Sequence, residues 1–191
     1  MQNDFLKIQT GKLKNHKIPI PKSIKGNSNF TSSILKKSVF ASIENLSLNS
    51  EIEKETTIFV DLFAGSGQIG IESGGLGYGK ILFFELDSTR FKELKKTVSK
   101  FEFKFELFNK DSFRFHSKFE KENFNSIIYF IDPPYSFWEK SISKIQNLTF
   151  EIMEENKEFK TYLFIQAPKE YSLENFNERR IGNQKILTSM N

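Results

Sequence analysis

The chain of 191 residues predicts an α/β domain with a doubly wound, mostly parallel sheet, preceded by a small basic β-hairpin arm. Three observations carry that prediction. Short apolar runs alternate with amphipathic stretches in the rhythm β-α-β-α-β-(α)-β-α-β, as a parallel sheet with crossover helices requires. Four of the strands so placed end on a carboxylate: Asp61, Glu85, Asp111 and Asp132. Glycines follow the first of them, where a strand turns into a helix.

The elements follow in order. Residues 5 to 22 alternate loosely around Ile8, Leu13, Ile18 and Ile20 and close with Pro19 and Pro21, which reads as a hairpin or a pair of extended segments. Gly26-Asn27-Ser28-Asn29 is a loop. From a serine cap at Ser32 or Ser33, apolar and small residues through Ile43 predict a helix, with Lys36 and Lys37 toward its exposed side. Thr57 to Val60 is a strand ending at Asp61. Leu62 to Gly67 then turns into a short helix that Gly74, Gly75, Gly77 and Gly79 should stop near Ser73. Lys80 to Phe84 is the second strand, and Ser88 to Lys100 a helix capped by Asp87 or Ser88. Phe101 to Phe108 alternates Phe with charge and reads as the third strand. Ser126 to Phe130 is the fourth, entering Ile131-Asp132-Pro133-Pro134-Tyr135. Ser141 to Lys157 is helical, Tyr162 to Ile165 a fifth strand, and Arg179 to Met190 a hairpin arm around Gly182-Asn183. The arm is assigned to residues 1–30 and the domain proper to 31–191.

Composition narrows the function classes. No apolar run reaches the roughly 18 residues of a membrane span. The start, Met1 to Lys7, lacks the apolar core of a secretory signal, and zero cysteines exclude a disulfide scaffold, a cysteine nucleophile and a zinc–thiolate site. A cytoplasmic protein is expected. His16 and His116 are too few and too far apart for a metal site, so none is expected. The net charge of +4 is unevenly spread: eight lysines against Asp4 alone stand before residue 41, and the remainder is net acidic. Such a limb is either the footprint of a polyanion binder or a solvated arm.

The motifs point to a two-ligand site. Ligands of doubly wound sheets bind beyond the carboxyl ends of the strands. Gly65-Ser66-Gly67 with Gly70 allows close backbone approach, but no Lys or Arg in the loop awaits a pyrophosphate, and Asp61 would repel one. Glu85 stands 24 residues beyond Asp61, placed to receive ribose hydroxyls. An acidic loop suits an adenosine ligand with a cationic end, so S-adenosylmethionine fits better than a nicotinamide dinucleotide. The Asp132-Pro133-Pro134-Tyr135 stretch combines a carboxylate, two rigid carbonyls and a ring, a grip for a flat molecule bearing an amine. Its alternative is a proline-stiffened turn with a capping Asp. Phe137 and Trp138 serve either as ring surface or as packing, with packing the commoner use.

Asp61-Leu62-Phe63-Ala64-Gly65-Ser66-Gly67-Gln68-Ile69-Gly70-Ile71-Glu72, Phe84-Glu85-Leu86-Asp87 and Asp132-Pro133-Pro134-Tyr135 resemble the S-adenosylmethionine-dependent amino-methyltransferases. With Ile8 to Pro19 and Thr31 to Phe40, the chain looks more narrowly like the bacterial 16S ribosomal RNA guanine-N2 methyltransferase family. It departs from the family pattern at Asn29, Ile34, Lys36-Lys37 and Gly74–Gly77. The resemblance implies a Rossmann-like class I methyltransferase fold and S-adenosylmethionine as cofactor. Asp61 and the backbone of Gly65, Ser66 and Gly67 would hold its methionine portion, Glu85 its ribose hydroxyls, and Asp111 and Ser112 its adenine edge, with Phe63, Ala64 and Leu86 also on the cofactor. Asp132 and Pro133 would grip the target amine and Tyr135 stack on its base. Lys12, Lys14, Lys17, Lys36 and Lys37 would follow RNA phosphates. The implied partner is small-subunit ribosomal RNA, free or within an assembling 30S particle, with no membrane, and a monomer is expected. Two alternatives stay open: an adenine-N6 methyltransferase on DNA or RNA, and a catalytically silent RNA-binding module.

Overall fold

The computed structural model describes residues 5–21, 32–117 and 119–191. A hairpin of β1 (Phe5–Lys7) and β2 (Lys17–Pro19) precedes helix α1 (Ser33–Leu48). The domain then runs β3 (Thr57–Asp61), α2 (Gln68–Leu76), β4 (Lys80–Phe84), α3 (Ser88–Val98), β5 (Phe105–Phe108), α4 (Ser112–Phe115), β6 (Ser126–Ile131), α5 (Tyr135–Lys140), α6 (Ile142–Glu155), β7 (Lys160–Pro168), β8 (Asn177–Ile181) and β9 (Gln184–Met190). The sheet order is β5-β4-β3-β6-β7-β9-β8. The first five strands are mutually parallel, β9 runs antiparallel to β7, and β8 antiparallel to β9.

The central strands are continuous apolar runs because both their faces are covered. β3 and β6 are buried at every residue. One face packs Leu35, Val39 and Ile43 of α1, Ile69 and Ile71 of α2, and Leu94 and Val98 of α3 against Phe59, Phe83 and Phe130. The other packs Ile145, Leu148 and Ile152 of α6, with Trp138, against Val60, Tyr129 and Ile165. The hairpin belongs to the first face: Ile8 and Ile18 are fully buried there.

Four expectations change. Helix α2 continues to Leu76 instead of stopping at Ser73, because its glycines serve packing. A Cβ at Gly74 would lie 2.6 Å from the Phe103 ring, and one at Gly75 3.1 Å from Leu13 of the hairpin. The third strand is only four residues long, since Phe101 and Phe103 precede it as a loop packed on that helix. The terminal hairpin is not an arm: β9 pairs with β7 from Tyr162↔Met190 to Pro168↔Gln184 and completes the sheet. Ser32 caps α1 by accepting from Leu35 N–H at 3.2 Å, but the helix buries Lys36, which is 4 % exposed, and leaves Ile34 in solvent. The loop read at Gly26–Asn29 and the boundary at residue 30 lie outside the described residues.

Candidate active site

The chain travels from β3 outward through β4 to β5, then returns to the other side of β3 with β6. That reversal opens a crevice at the carboxyl ends of the strands, the place where such sheets bind ligands. Read along the rim in sheet order, β5, β4, β3 and β6 deliver Asp111, Glu85, Asp61 and Asp132 in one row. All four line a single cleft of about 750 Å³. Phe63, Ala64, Gly65, Ser66, Leu86, Ser112, Pro133 and Tyr135 line it as well. The residues predicted for methyl donor and amine thus converge, apart from Gly67, which shapes the loop from behind. Gly67 takes φ +74° at the start of α2, and a Cβ there would strike Leu94 at 2.3 Å.

The glycine loop is held from two sides. Ala64 N–H donates to Phe84 carbonyl at 2.9 Å, and Gly65 N–H to Glu85 Oε2 at 3.1 Å. Gly65 takes φ +51°, a left-handed conformation that favours glycine. Glu85 Oε1 accepts from Asp87 N–H at 2.7 Å and from Arg90 Nη2 at 3.1 Å. Its carboxylate therefore fastens loop, strand and helix together at the cleft wall. Asn109 Nδ2 donates to the Glu85 and Leu86 carbonyls at 2.8 and 3.0 Å, fixing the turn that leaves the Leu86 side chain 66 % exposed beside the cleft. Asp111 caps α4 by accepting from Phe113 N–H at 3.0 Å, and the Ser112 hydroxyl turns inward to donate to the Leu62 carbonyl.

Asp61 is buried and accepts from Gly70 N–H at 3.1 Å. Burial pushes its carboxyl up to about 7 against the pull of the Gly70 bond, and the charges of Asp132 and Glu85 push the same way. A buried acid crowded by two others is electrostatically prepared for a cation. At the next rim position, Pro133 and Pro134 break β6 and Pro134 caps α5. Phe137 N–H donates to the Pro134 carbonyl at 2.9 Å, so the helix begins beyond Pro133. Tyr135 opens that helix 47 % exposed, its ring edge-on to Tyr171 at 6.4 Å. Phe63, Phe113 and Phe137 form an aromatic wall with centroid separations of 5.6 and 4.9 Å. Trp138 is buried in the core, the packing role expected as commoner.

The lysines are not brought together. Lys12 N–H donates to the Gly75 carbonyl at 2.8 Å, placing the hairpin turn at the far end of α2 from the cleft. At 1.5 Å of rise per residue that is on the order of 10 Å away. Lys17 stands opposite Lys7 where the ladder meets the turn, and the Lys7 carbonyl accepts from Gln68 Nε2 at 2.8 Å. Lys37 is exposed on α1. Lys36 is corrected: it is buried toward Glu72 of α2 and has no phosphate-facing surface. Sequence reasoning missed Arg90, Arg114, Lys144, Gln166 and Gln184, all of which line the cleft. Arg90 alone had a local signal, three residues into the helix that follows Glu85.

This geometry meets its comparisons at the family level. Residues 6–187 match the model of the family described as Conserved hypothetical protein 95. The chain belongs to that family. Among solved structures it is similar to the "Putative methyltransferase yhhF from Escherichia coli", at 18% identity with 97% of each chain covered and a TM-score of 0.71. It is similar to the "putative methylase HI0767 from Haemophilus influenzae" at 21% identity, 98% of each chain and a TM-score of 0.69. The Thermus "hypothetical protein TTHA0928" aligns at 18% identity over 96% of this chain and 98% of its own, with a TM-score of 0.74. No curated protein matches the chain. The family resemblance carried by the motifs therefore stands, and the fold is that of the class I methyltransferases, a mostly parallel seven-stranded sheet with an N-terminal hairpin. No helix among the described residues is long and apolar enough to cross a membrane, and no described cluster of His, Asp and Glu could hold a metal ion.

Proposed function

We propose that this chain transfers a methyl group from S-adenosylmethionine to the exocyclic N2 amine of a guanine in small-subunit ribosomal RNA. One observation carries the reading: the Asp132-Pro133-Pro134-Tyr135 clamp opens into the same cleft as Asp61, Glu85 and Asp111. The cleft fits the cofactor, because the buried Asp61 is poised for a cationic group and the loop at Gly65 offers backbone at close range. Asp61 and the loop would hold its methionine portion, Glu85 its ribose, and Leu86 with Asp111 its adenine. When bound, S-adenosylmethionine supplies an electrophilic methyl carbon.

The protein's own part is positioning. Guanine N2 is a poor nucleophile because its lone pair is delocalised into the ring. The Asp132 carboxylate and the Pro133 carbonyl accept its two N–H bonds and draw the nitrogen toward a tetrahedral form. Fixed acceptors of this kind cost no reorganisation during the reaction. No strong base is required beforehand, since a methylated, cationic nitrogen loses its proton readily. The base must be unstacked to enter, and the exposed Tyr135 ring supplies a surface for it. The rRNA acts as a cytoplasmic partner, and the chain works as a monomer.

The test is incubation of the purified chain with unmethylated small subunits and labelled S-adenosylmethionine, followed by mapping of modified nucleotides by mass spectrometry. A single N2-methylguanine is expected. N6-methyladenine would replace the assignment with the adenine enzyme that uses the same clamp. Absence of cofactor binding by calorimetry would leave the silent RNA-binding module.

A further inference from the structure

Beyond Asp132 the rim passes from β6 to β7, and the polar group waiting there is Gln166. The register Ile131↔Ile165 sets Gln166 beside Asp132. It lies on the face that carries Phe130 and, across the antiparallel pair, Ile186. Gln166 lines the cleft, is 7 % exposed, and its Oε1 is buried without a hydrogen-bond partner among the described residues. Its neighbours in the strand, Ile165 and Ala167, are apolar and buried. An unsatisfied buried acceptor is costly where a Leu or Met of similar size would fill the space without penalty. An amide kept at that point is explained by a ligand that completes it.

We propose that Gln166 is a specificity-determining residue that reads the base edge next to the amine held at Asp132 and Pro133. The proposal rests on the guanine reading above. Asp111, Glu85 and Asp61 occupy the cofactor's side of the row, so the nucleotide lies on the β6–β7 side. With N2 in the clamp, guanine presents N1–H and then O6 along the same edge. The amide answers both, Oε1 accepting from N1–H and Nε2 donating to O6. Adenine with N6 in the clamp presents a bare N1 acceptor at the first position and would need the amide reversed. A carboxylate at position 166 would satisfy guanine N1–H and could not satisfy adenine N1.

The experiment measures methyl transfer by the full chain to in-vitro-transcribed small-subunit rRNA, alone and with small-subunit proteins added, for wild type, Gln166→Leu, Gln166→Met and Gln166→Glu. The expected result is a loss of about 10–100-fold in kcat/KM for RNA in both apolar variants, the cost of one unpaired buried base contact. Cofactor affinity by calorimetry and thermal unfolding should stay near wild type. Gln166→Glu, assayed at alkaline pH, should restore part of the lost activity on guanine, because it regains the N1–H contact and not the one to O6. Wild-type kcat/KM in either apolar variant overturns the proposal. So does a loss that merely follows lowered cofactor affinity or unfolding in both apolar variants, which separates packing from reading. Methylation of adenine by wild type with an inactive Gln166→Glu overturns the guanine pairing together with the reading beneath it. Guanine methylation that none of the variants alters overturns the role of Gln166 alone.

Discussion

Asp61 shows how a single side chain can oppose folding in the service of binding. Its ordinary value is 3.8, and burial pushes it up to about 7. Below 3.8 the folded and unfolded chains both carry the proton and no cost arises. Between 3.8 and 7 the folded protein holds a proton that the unfolded chain has lost, so stability falls as pH rises. Above 7 the whole cost is present, on the order of 4 kcal/mol. Asp61→Asn should therefore raise Tm by several degrees at pH 8 and change it little at pH 4, as measured by thermal unfolding against pH. A cationic ligand reverses the balance, because it favours the carboxylate. Wild-type affinity for S-adenosylmethionine should weaken as pH drops through 7, and the Asn variant should bind at least about tenfold more weakly at pH 8. Calorimetry at both pH values checks this, and a pH-independent affinity would remove Asp61 from the cofactor site. At Asp132 the expectation is opposite in kind: Asp132→Ala should abolish turnover while leaving cofactor affinity nearly unchanged, and retained methyl transfer would sink the clamp. Both acids were legible in the sequence, since an apolar run that stops at a carboxylate marks a strand end. Gln166 was not, because one polar residue inside the apolar β7 has no spacing to distinguish it, and only its register beside Asp132 reveals it.

The element that shows most about cohesion is α2, which carries the glycine loop at one end and the hairpin along its flank. Glu72 is fully buried on it, and its Oε1 accepts from Gln9 N–H at 2.8 Å and Thr10 Oγ1 at 3.1 Å. Burial pushes the Glu72 carboxyl up and the Lys36 ammonium down, and each charge offsets the other's shift. Hairpin, α1 and α2 are thus joined by one buried polar cluster. Glu72→Ala should destabilise by about 3 kcal/mol, because it leaves two hairpin donors without their acceptor and the buried Lys36 ammonium without the charge that offsets its burial. Adding Lys36→Met should recover part of that loss, and a denaturant double-mutant cycle measures the coupling. Strictly additive losses would mean that the two charges do not meet. The cluster explains why Lys36 was misread: Lys36 and Lys37 look alike in sequence, and only Glu72, far along the chain, decides which is drawn inside. The glycines of α2 misled for a related reason. Their cost within a helix is visible locally, whereas the Phe103 ring and the Leu13 side chain that require them are not.

At the scale of the molecule, the question is how charge on the hairpin serves chemistry in the cleft. The sheet's topology was readable, because five parallel strands announce themselves as apolar runs separated by helices. The placement of the hairpin was not, since its register along α2 depends on backbone contacts such as Lys12 N–H to Gly75 carbonyl. That register puts Lys12 and Lys14 at the far end of the helix, while Lys7 and Lys17 sit nearer the glycine loop, and Arg114 and Lys144 border the cleft itself. An RNA long enough to touch both ends would be held by phosphates at a distance from the base that reacts. Contacts of that kind position without specifying. Charge reversal at Lys12, Lys14 and Lys17 should therefore weaken RNA binding and flatten its dependence on salt by roughly two to three in logarithmic slope. The effect belongs to KM: turnover at saturating RNA should stay within about twofold of wild type, because none of the three lines the cleft. Arg114→Ala with Lys144→Ala should lower kcat as well, since both cations line the reaction cleft itself. Filter binding across a salt series and steady-state kinetics separate the two. An unchanged salt slope in the hairpin variant would make its lysines solvated surface and leave RNA capture to the rim of the cleft.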